Sequence, residues 1–302
     1  MKFKSVLSLT LLMTTMFTAT SVSASPASGS LPYSVSQASP SIVNNTLLSE
    51  EDKIRLSSFG FTQDEIDNFT PEQYATFNEK VGKETTSILI DKETSYYKIA
   101  NHEVTEVPEA EAIKIIQRSL LEEQSKGINA FNNSNTSTTS WMVMTLSTTK
   151  LSTGTYNLKN SFRWLIYPVY RLTDVAGISF NPNLTYINNS DYGNYAAAKT
   201  GLNPAVDNYP LKAQHKKVSG IGFNVDLRTY ISSGGTVNNH SGYVAFQVEK
   251  NNTNAISTNA YGHYAHLYNT ISFGVDLKSG SLAISGATGV DDMSDTSLSW
   301  RF

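Results

Sequence analysis

The sequence predicts an α+β protein: a small N-terminal α-rich module followed by an antiparallel all-β sandwich or barrel domain. Three observations predict it. Helix-capping signals recur three times between residues 49 and 73, alternating apolar rows recur beyond Trp141, and the net charge changes sign between the two halves. Residues 25–149 carry 9 Lys/Arg against 17 Asp/Glu, a net of −8, while residues 150–302 carry 12 against 9, a net of +3. Such asymmetry marks separate modules, and neither value has the concentrated basic face of a nucleic-acid binder.

The first 24 residues read as a signal peptide. Lys2 and Lys4 precede a mainly apolar stretch from Val6 to Phe17, and Val22-Ser23-Ala24 supplies the small residues of a cleavage site. Ser8, Thr10, Thr14 and Thr15 interrupt that stretch, which therefore falls short of the roughly 20 apolar residues of a spanning helix. No later segment is apolar enough to span as a helix. The mature chain is expected from Ser25, secreted or cell-wall-associated. It holds no cysteine, which excludes disulfides, Cys-ligated zinc and thiol catalysis.

Residues 25–48, rich in Ser, Pro, Ala and Asn, read as a disordered linker. The acidic α-rich module covers 49–124. Ser49-Glu50-Glu51-Asp52 starts a helix that stops at Gly60, Thr62-Gln63-Asp64-Glu65 starts a second, and Thr70-Pro71-Glu72-Gln73 starts a third that ends at Gly82. Leu56, Phe59, Phe61, Ile66, Phe69, Tyr74, Phe77 and Val81 can close one small core among them. Residues 86–90 and 95–99 are β-rich runs, expected as a hairpin around Asp91-Lys92-Glu93-Thr94, with a third strand at 103–107. Pro108 opens a helix through about Glu123, and residues 125–140 form a second linker. The acidic module could act as a cover on the mildly basic domain that follows.

From 141 to 302 the chain reads as β throughout. Ile221, Phe223, Val225 and Leu227 form one alternating row, Val244, Phe246 and Val248 another, and Ile271, Phe273, Val275 and Leu277 a third. The first and third rows align at an offset of 50 residues, including Asp226/Asp276 and Arg228/Lys278, as a duplicated strand unit would. The ending Leu298-Ser-Trp300-Arg-Phe302 has the form of a closing strand of a membrane barrel, but long polar stretches such as 186–217 break the lipid-facing row that such a barrel needs.

No motif calls for a cofactor or a metal. There is no zinc-protease helix, no Gly-x-Ser-x-Gly elbow and no phosphate loop. His263 and His266 point to opposite faces of a strand. Asp291, Asp292 and Asp295 could offer oxygens to calcium, but lack the bidentate Glu and the spacing, so a solvated turn is the simpler reading. Asp226 and Asp276 have the composition of a glycosidase pair, but each has a cation two residues later on the same face, so surface ion pairing is expected.

Tyrosine is the most informative residue type. Twelve of sixteen lie beyond Trp141, and Tyr186, Tyr192, Tyr195 and Tyr209, with Asp191, fall in one polar stretch, 186–210. Read as a long loop on a β scaffold, these five residues form the expected binding surface for a cell-surface glycan or protein. The alternatives are a secreted toxin or membrane-active β protein, and a glycan-acting enzyme.

Phe162-x-Trp164-Leu165, Pro168, Asp174 and Gly177-Ile178, following Phe59-Gly-Phe-Thr-Gln-Asp-Glu-Ile66, resemble a group of exported, functionally uncharacterised proteins of Gram-positive bacilli. The resemblance runs through helix trio, hairpin-helix piece and β domain in order. It implies export into a Gram-positive envelope, disfavours an outer-membrane barrel and transfers no functional residue.

Overall fold

The computed structural model describes residues 48–83, 86–126, 139–200, 203–269 and 272–302. The expected signal peptide, residues 25–47 of the first linker and 127–138 of the second lie outside the described residues.

The three helices form where their caps stand. α1 (Glu50–Ser58), α2 (Gln63–Asp67) and α3 (Pro71–Val81) each open on a reciprocal capping box, Ser49 with Asp52, Thr62 with Glu65 and Thr70 with Gln73. Each box satisfies two otherwise unpaired N–H groups, which is what lets so short a helix as α2 persist. Gly60 follows α1 at a φ of +78°, and a Cβ there would strike the Ser147 side chain. Only glycine suits both demands.

The large sheet runs β2 (Glu103–Val107), β1 (Ile88–Ala100), β3 (Thr139–Ser152), β4 (Thr155–Ile166), β11 (Asn239–Lys250), β7 (Tyr192–Lys199), β8 (Ala205–Leu211), with β6 (Leu184–Tyr186) also paired to β11. The small sheet runs β15 (Val290–Asp292), β12 (Ser257–Leu267), β5 (Thr173–Phe180), β10 (Gly220–Asp226), β9 (His215–Lys217), with β16 (Thr296–Arg301) paired to β12. All pairings are antiparallel. The two sheets face each other across one core, in which Met144, Phe162 and Phe246 meet Ile178, Phe223 and Tyr264. This is an antiparallel sandwich and not a closed barrel.

Each sheet has a second, outer face that is also covered. The helix trio lies on the large sheet, where Phe59, Phe61, Phe69 and Phe77 pack against Leu151, Tyr192, Tyr243 and Ala245. On the small sheet lies a separate hairpin, β13 (Gly274–Lys278) and β14 (Ser281–Ser285), which presses Val275, Leu277 and Leu282 onto Val175, Ala265 and Leu267. Residues buried on both faces explain why β3 and β4 lack simple alternation.

Several expectations are corrected here. The acidic segment does not pack apart from the β domain: β1 pairs with β3 along its length, from Ile88↔Lys150 to Ala100↔Thr139, and the helices share a core cluster with Leu151, Tyr192, Tyr243 and Ala245. Asp91–Thr94 is no turn. It belongs to β1, and the hairpin turn is Asn101-His102, both at positive φ (51° and 63°), the two-residue type that suits the strand twist. The charged residues instead mark the stretch of β1 that β2 does not reach, an exposed sheet edge, where charge opposes pairing with another chain. Residues 103–107 do form a strand, and Pro108 does precede a helix, α4 (Glu109–Lys126). The two 50-offset rows have different fates, one as β10 in the small sheet and one in the hairpin above it. Their ion pairs both form, Arg228–Asp226 at 3.1 Å and Lys278–Asp276 at 3.2 Å.

Candidate functional site

One end of the sandwich gathers aromatic side chains from three connections. The β4–β5 connection carries Tyr167, Tyr170 and Arg171, the β1–β2 turn carries His102, and Tyr268 follows β12. The His102 ring stacks on Tyr268 with centroids 3.6 Å apart, and Tyr170 stands 6.3 Å from His102 and 6.0 Å from Tyr268. Asp291 fixes the imidazole through Nδ1 at 3.2 Å. The Arg171 guanidinium sits 4.7 Å from the Tyr167 ring centroid. Tyr170 and Val169 are 50% and 56% exposed, and Tyr230, in the β10–β11 connection, 68%. The ring contacts join Tyr170, His102 and the half-buried Tyr268, and clustered exposed aromatic surface of this kind marks candidate interaction sites.

Beneath the platform the sandwich holds a buried polar layer. Asp174, on β5, accepts from Tyr264 Oη (2.7 Å), from His266 Nδ1 (2.9 Å) and from the Leu267 N–H (3.1 Å). Burial opposes charge on His266, yet the Asp174 carboxylate raises its pKa above the ordinary value. Every oxygen of Asp174 is thus engaged, which makes the pair a strut, not an acid or base awaiting substrate. His240 behaves oppositely. Tyr195 Oη, 2.7 Å away, donates to its Nδ1 and itself accepts the Arg228 N–H at 3.0 Å, while His240 Nε2 has no partner. Burial, with Arg171 and His266 nearby, pushes the His240 pKa down to about 3, so this imidazole is neutral.

The expected tyrosine surface is not one surface. Residues 192–199 and 205–211 are the paired strands β7 and β8, not a loop. Tyr192 is buried under the helices and Tyr195 in the core between the sheets, 2% and 1% exposed, so neither ring can meet a ligand. Tyr209 is half-buried, stacked on Tyr195 at 5.8 Å and capped by Arg228. Tyr186 and Asp191 form a separate cluster: Tyr186 Oη donates to Asp191, which also accepts from Lys216 Nζ at 2.8 Å and from the Ala213 N–H at 3.1 Å. Burial alone would raise the Asp191 pKa, but these bonds lower it. The stretch read as a loop because β7 is covered on both faces while β8 is half-buried along its length, so neither strand shows apolar–polar alternation. The platform left only faint traces in the sequence, the Asn101-His102 turn and the run Tyr167-Pro-Val-Tyr-Arg171.

A second constellation lies under the hairpin. His263 Nδ1 donates to Asp295 at 2.5 Å, His263 Nε2 faces Ser179 Oγ at 2.8 Å, and Ser179 Oγ accepts the Gly280 N–H at 3.0 Å. An Asp–His–Ser order is that of nucleophilic hydrolases. Here the serine and histidine are fully buried and the Ser179 oxygen is held by the hairpin turn, so the three residues act as a latch. Asp292, beside Asp295 at a cavity of about 330 Å³, has its carboxyl pushed up to about 6 by local enclosure and by its neighbour's charge. Asp291 turns away to His102. Asp291, Asp292 and Asp295 therefore do not converge, and among the described residues no group of three or more His, Asp or Glu could hold a metal.

No family model matches the chain, and no curated protein matches it. Among solved structures it is similar to the collagen-binding domain of a Staphylococcus aureus adhesin (6% identity, 50% of this chain and 90% of that one, TM-score 0.28). A structure described as a pore forming protein matches at 9% identity over 72% and 95% of the chains, TM-score 0.24. The C-terminal domain of an AgI/II polypeptide of Streptococcus agalactiae matches at 7% identity over 71% and 81%, TM-score 0.27. Likeness at these TM-scores transfers no function.

Proposed function

We propose that the protein is an exported, surface-associated binding protein that holds a cell-surface glycan on the Tyr170–His102–Tyr268 platform. One observation carries this reading: Tyr170 and His102 stand exposed beside the half-buried Tyr268, and the three rings are held by mutual stacking and by the Asp291 contact to His102. A rigid aromatic surface binds sugar faces with little loss of conformational freedom. The signal-peptide pattern of the first 24 residues supports export, and among the described residues no helix is long and apolar enough to cross a membrane. The other readings lack an equivalent feature. The β13–β14 hairpin that lies apart from the two sheets has strands of five residues against the roughly 9–11 of a spanning strand, and the longer β3 and β4 are internal members of the large sheet, each paired on both edges. Asp226 and Asp276 are each paired with the neighbouring cation.

Co-sedimentation of the mature protein with isolated Gram-positive cell walls tests the proposal. Tyr170→Ala and His102→Asn together should cut retention about tenfold, the worth of roughly 1.4 kcal/mol, and shift stability by about 1 kcal/mol or less, because Asn accepts the positive φ at 102 and keeps a donor for Asp291. Unchanged retention by the double variant would remove the platform from the binding surface.

A further inference from the structure

The connections that meet at the platform end carry no negative charge. The turn 101–102, the β4–β5 connection 167–172, the β10–β11 connection 227–238 and the stretch 286–289 between β14 and β15 hold His102, Arg171 and Arg228 and not one Asp or Glu. Carboxylates on the adjoining strands are already committed. Asp291 holds His102, and Asp174 takes three hydrogen bonds in the core. Asp207 accepts the Ser232 N–H at 2.5 Å and Oγ at 2.7 Å, and Asp226 pairs with Arg228 at 3.1 Å. Glu103 is exposed, but it lies on the edge strand β2, three places from β4 in the large sheet.

Arg171 is the cation that this leaves over. It follows Tyr170 directly in the chain, and its guanidinium sits over the Tyr167 ring, 4.7 Å from the centroid. Among the described residues it has no acidic partner. Its Nη1 is 3.4 Å from the Thr229 carbonyl, Nε is enclosed without a bond, and the unpaired Nη2 is open to solvent. A guanidinium stays ionised at any ordinary pH, and stacking by its face leaves the Nη end of the fork for an oxyanion. Arg228 differs. It lies 4.8 Å from the Tyr209 centroid, but Asp226 already supplies its counter-charge.

We infer that the platform's ligand is an acidic glycan: a sugar lies on the Tyr170–His102–Tyr268 rings, and Arg171 meets the carboxylate or phosphate of the same polymer. The inference rests on the platform reading and adds the charge of the ligand to it. A neutral polymer seated here would displace water from Arg171 and return no counter-charge, and desolvating an unpaired cation is costly. An acidic polymer returns it. The rings read the sugar and the guanidinium reads its charge, so the two contacts can be removed separately.

Calorimetric titration of the mature protein with polygalacturonate, with its methyl ester and with a glycosylated poly(glycerol phosphate) tests the inference. The ester keeps the sugar faces and removes the charge. One of the two polyanions should bind about five- to tenfold more tightly than the ester, as a solvated bond to a charged group allows, and the tighter one identifies the oxyanion. That advantage should shrink between about 0.1 and 1 M salt. Arg171→Gln should bring the polyanion down to the ester's affinity and leave the ester unchanged, with Arg171→Met in its place if the glutamine variant does not fold. Arg228→Gln should lower polyanion affinity by about twofold or less, because its charge is already paired. An equal loss in both arginine variants would mean attraction by net charge and overturn the inference, as would binding of neither polyanion. Equal affinity for ester and polyanion, lost in Tyr170→Ala, would overturn the acidic ligand and keep the platform. Polyanion binding undiminished in Tyr170→Ala would remove the platform and this inference with it.

Discussion

The two sheets of the sandwich solve the same problem, an outer face that must be covered, in different ways. Over the large sheet the helix trio meets polar strands. Lys159 is fully buried there, its ammonium 3.0 Å from Glu65 of α2 and 4.4 Å from the Phe61 ring centroid, while Arg163 reaches Asp64 at 2.6 Å. Over the small sheet the hairpin meets glycines. Gly177, Gly220 and Gly222 leave the space that Leu277 fills, and the Gly280 N–H of the hairpin turn donates to Ser179 Oγ at 3.0 Å. The first cover supplies counter-charge and the second supplies volume. What fixes a cover is set by what the strands beneath leave unsatisfied.

The largest loss should come from the charged cover. Glu65→Gln keeps a side chain able to cap α2 but leaves the Lys159 ammonium buried without a carboxylate. Burial already pulls the Lys159 pKa down against the attraction of Glu65. Removing one partner of a buried pair costs about 3–5 kcal/mol, so urea denaturation should show a loss of that size. Lys159→Met should lose much less, because the remaining Glu65 is partly exposed and still caps Thr62. Equal losses in both variants would mean that shape and not charge fixes the helices.

A smaller loss is expected where the cover is steric. A Cβ on Gly220 would lie 2.6 Å from Leu277 Cβ and 3.2 Å from Ile178 O, so Gly220→Ala must displace the hairpin. Overpacking of this kind costs about 1–3 kcal/mol. Combined with Leu277→Ala it should lose less than the sum of the two single changes, since the second removes the atoms that the first meets. Strict additivity would show that the hairpin does not rest on the glycines.

The difference between the covers also sets how much was legible in the sequence. Caps are local, and all three helices begin where Ser49, Thr62 and Thr70 announce them. The rows at 221–225 and 244–248 are local too, and both became strands with that face in the core. What escaped was non-local. Lys159 has the identity of a surface residue and is buried only because Glu65, 94 positions earlier, folds over it. Tyr192 and Tyr195 look like binding residues until helices on one side and a second sheet on the other enclose them. The platform is least legible of all, because His102, Tyr170 and Tyr268 share no motif and meet only through the order of strands.

Between the covers, the buried histidines should give the weakest but most specific signature. His240 is held down to about 3 in the folded state against roughly 6.5 when unfolded. A histidine with a depressed folded pKa contributes stability above its unfolded pKa and loses it as pH falls from about 6.5 towards 3, because only the unfolded chain takes up the proton. His266 has a raised pKa, so its contribution is complete below about 6.5 and fades as pH rises through the folded value. The Asp292 carboxyl, raised to about 6, works against His240 between about pH 4 and 6, and its partial exposure weakens that opposition. Stability measured against pH should therefore fall on both sides of near-neutral pH, by at most about 1.4 kcal/mol per pH unit for one proton. His240→Gln should flatten the acid limb and leave the alkaline limb unchanged. Gly220→Ala should lower the whole curve without altering its shape, since the hairpin cover touches neither imidazole. An acid limb that survives in His240→Gln would belong to the carboxylates held below their usual range, Asp191 and Asp52, whose bonds are lost as they take up protons.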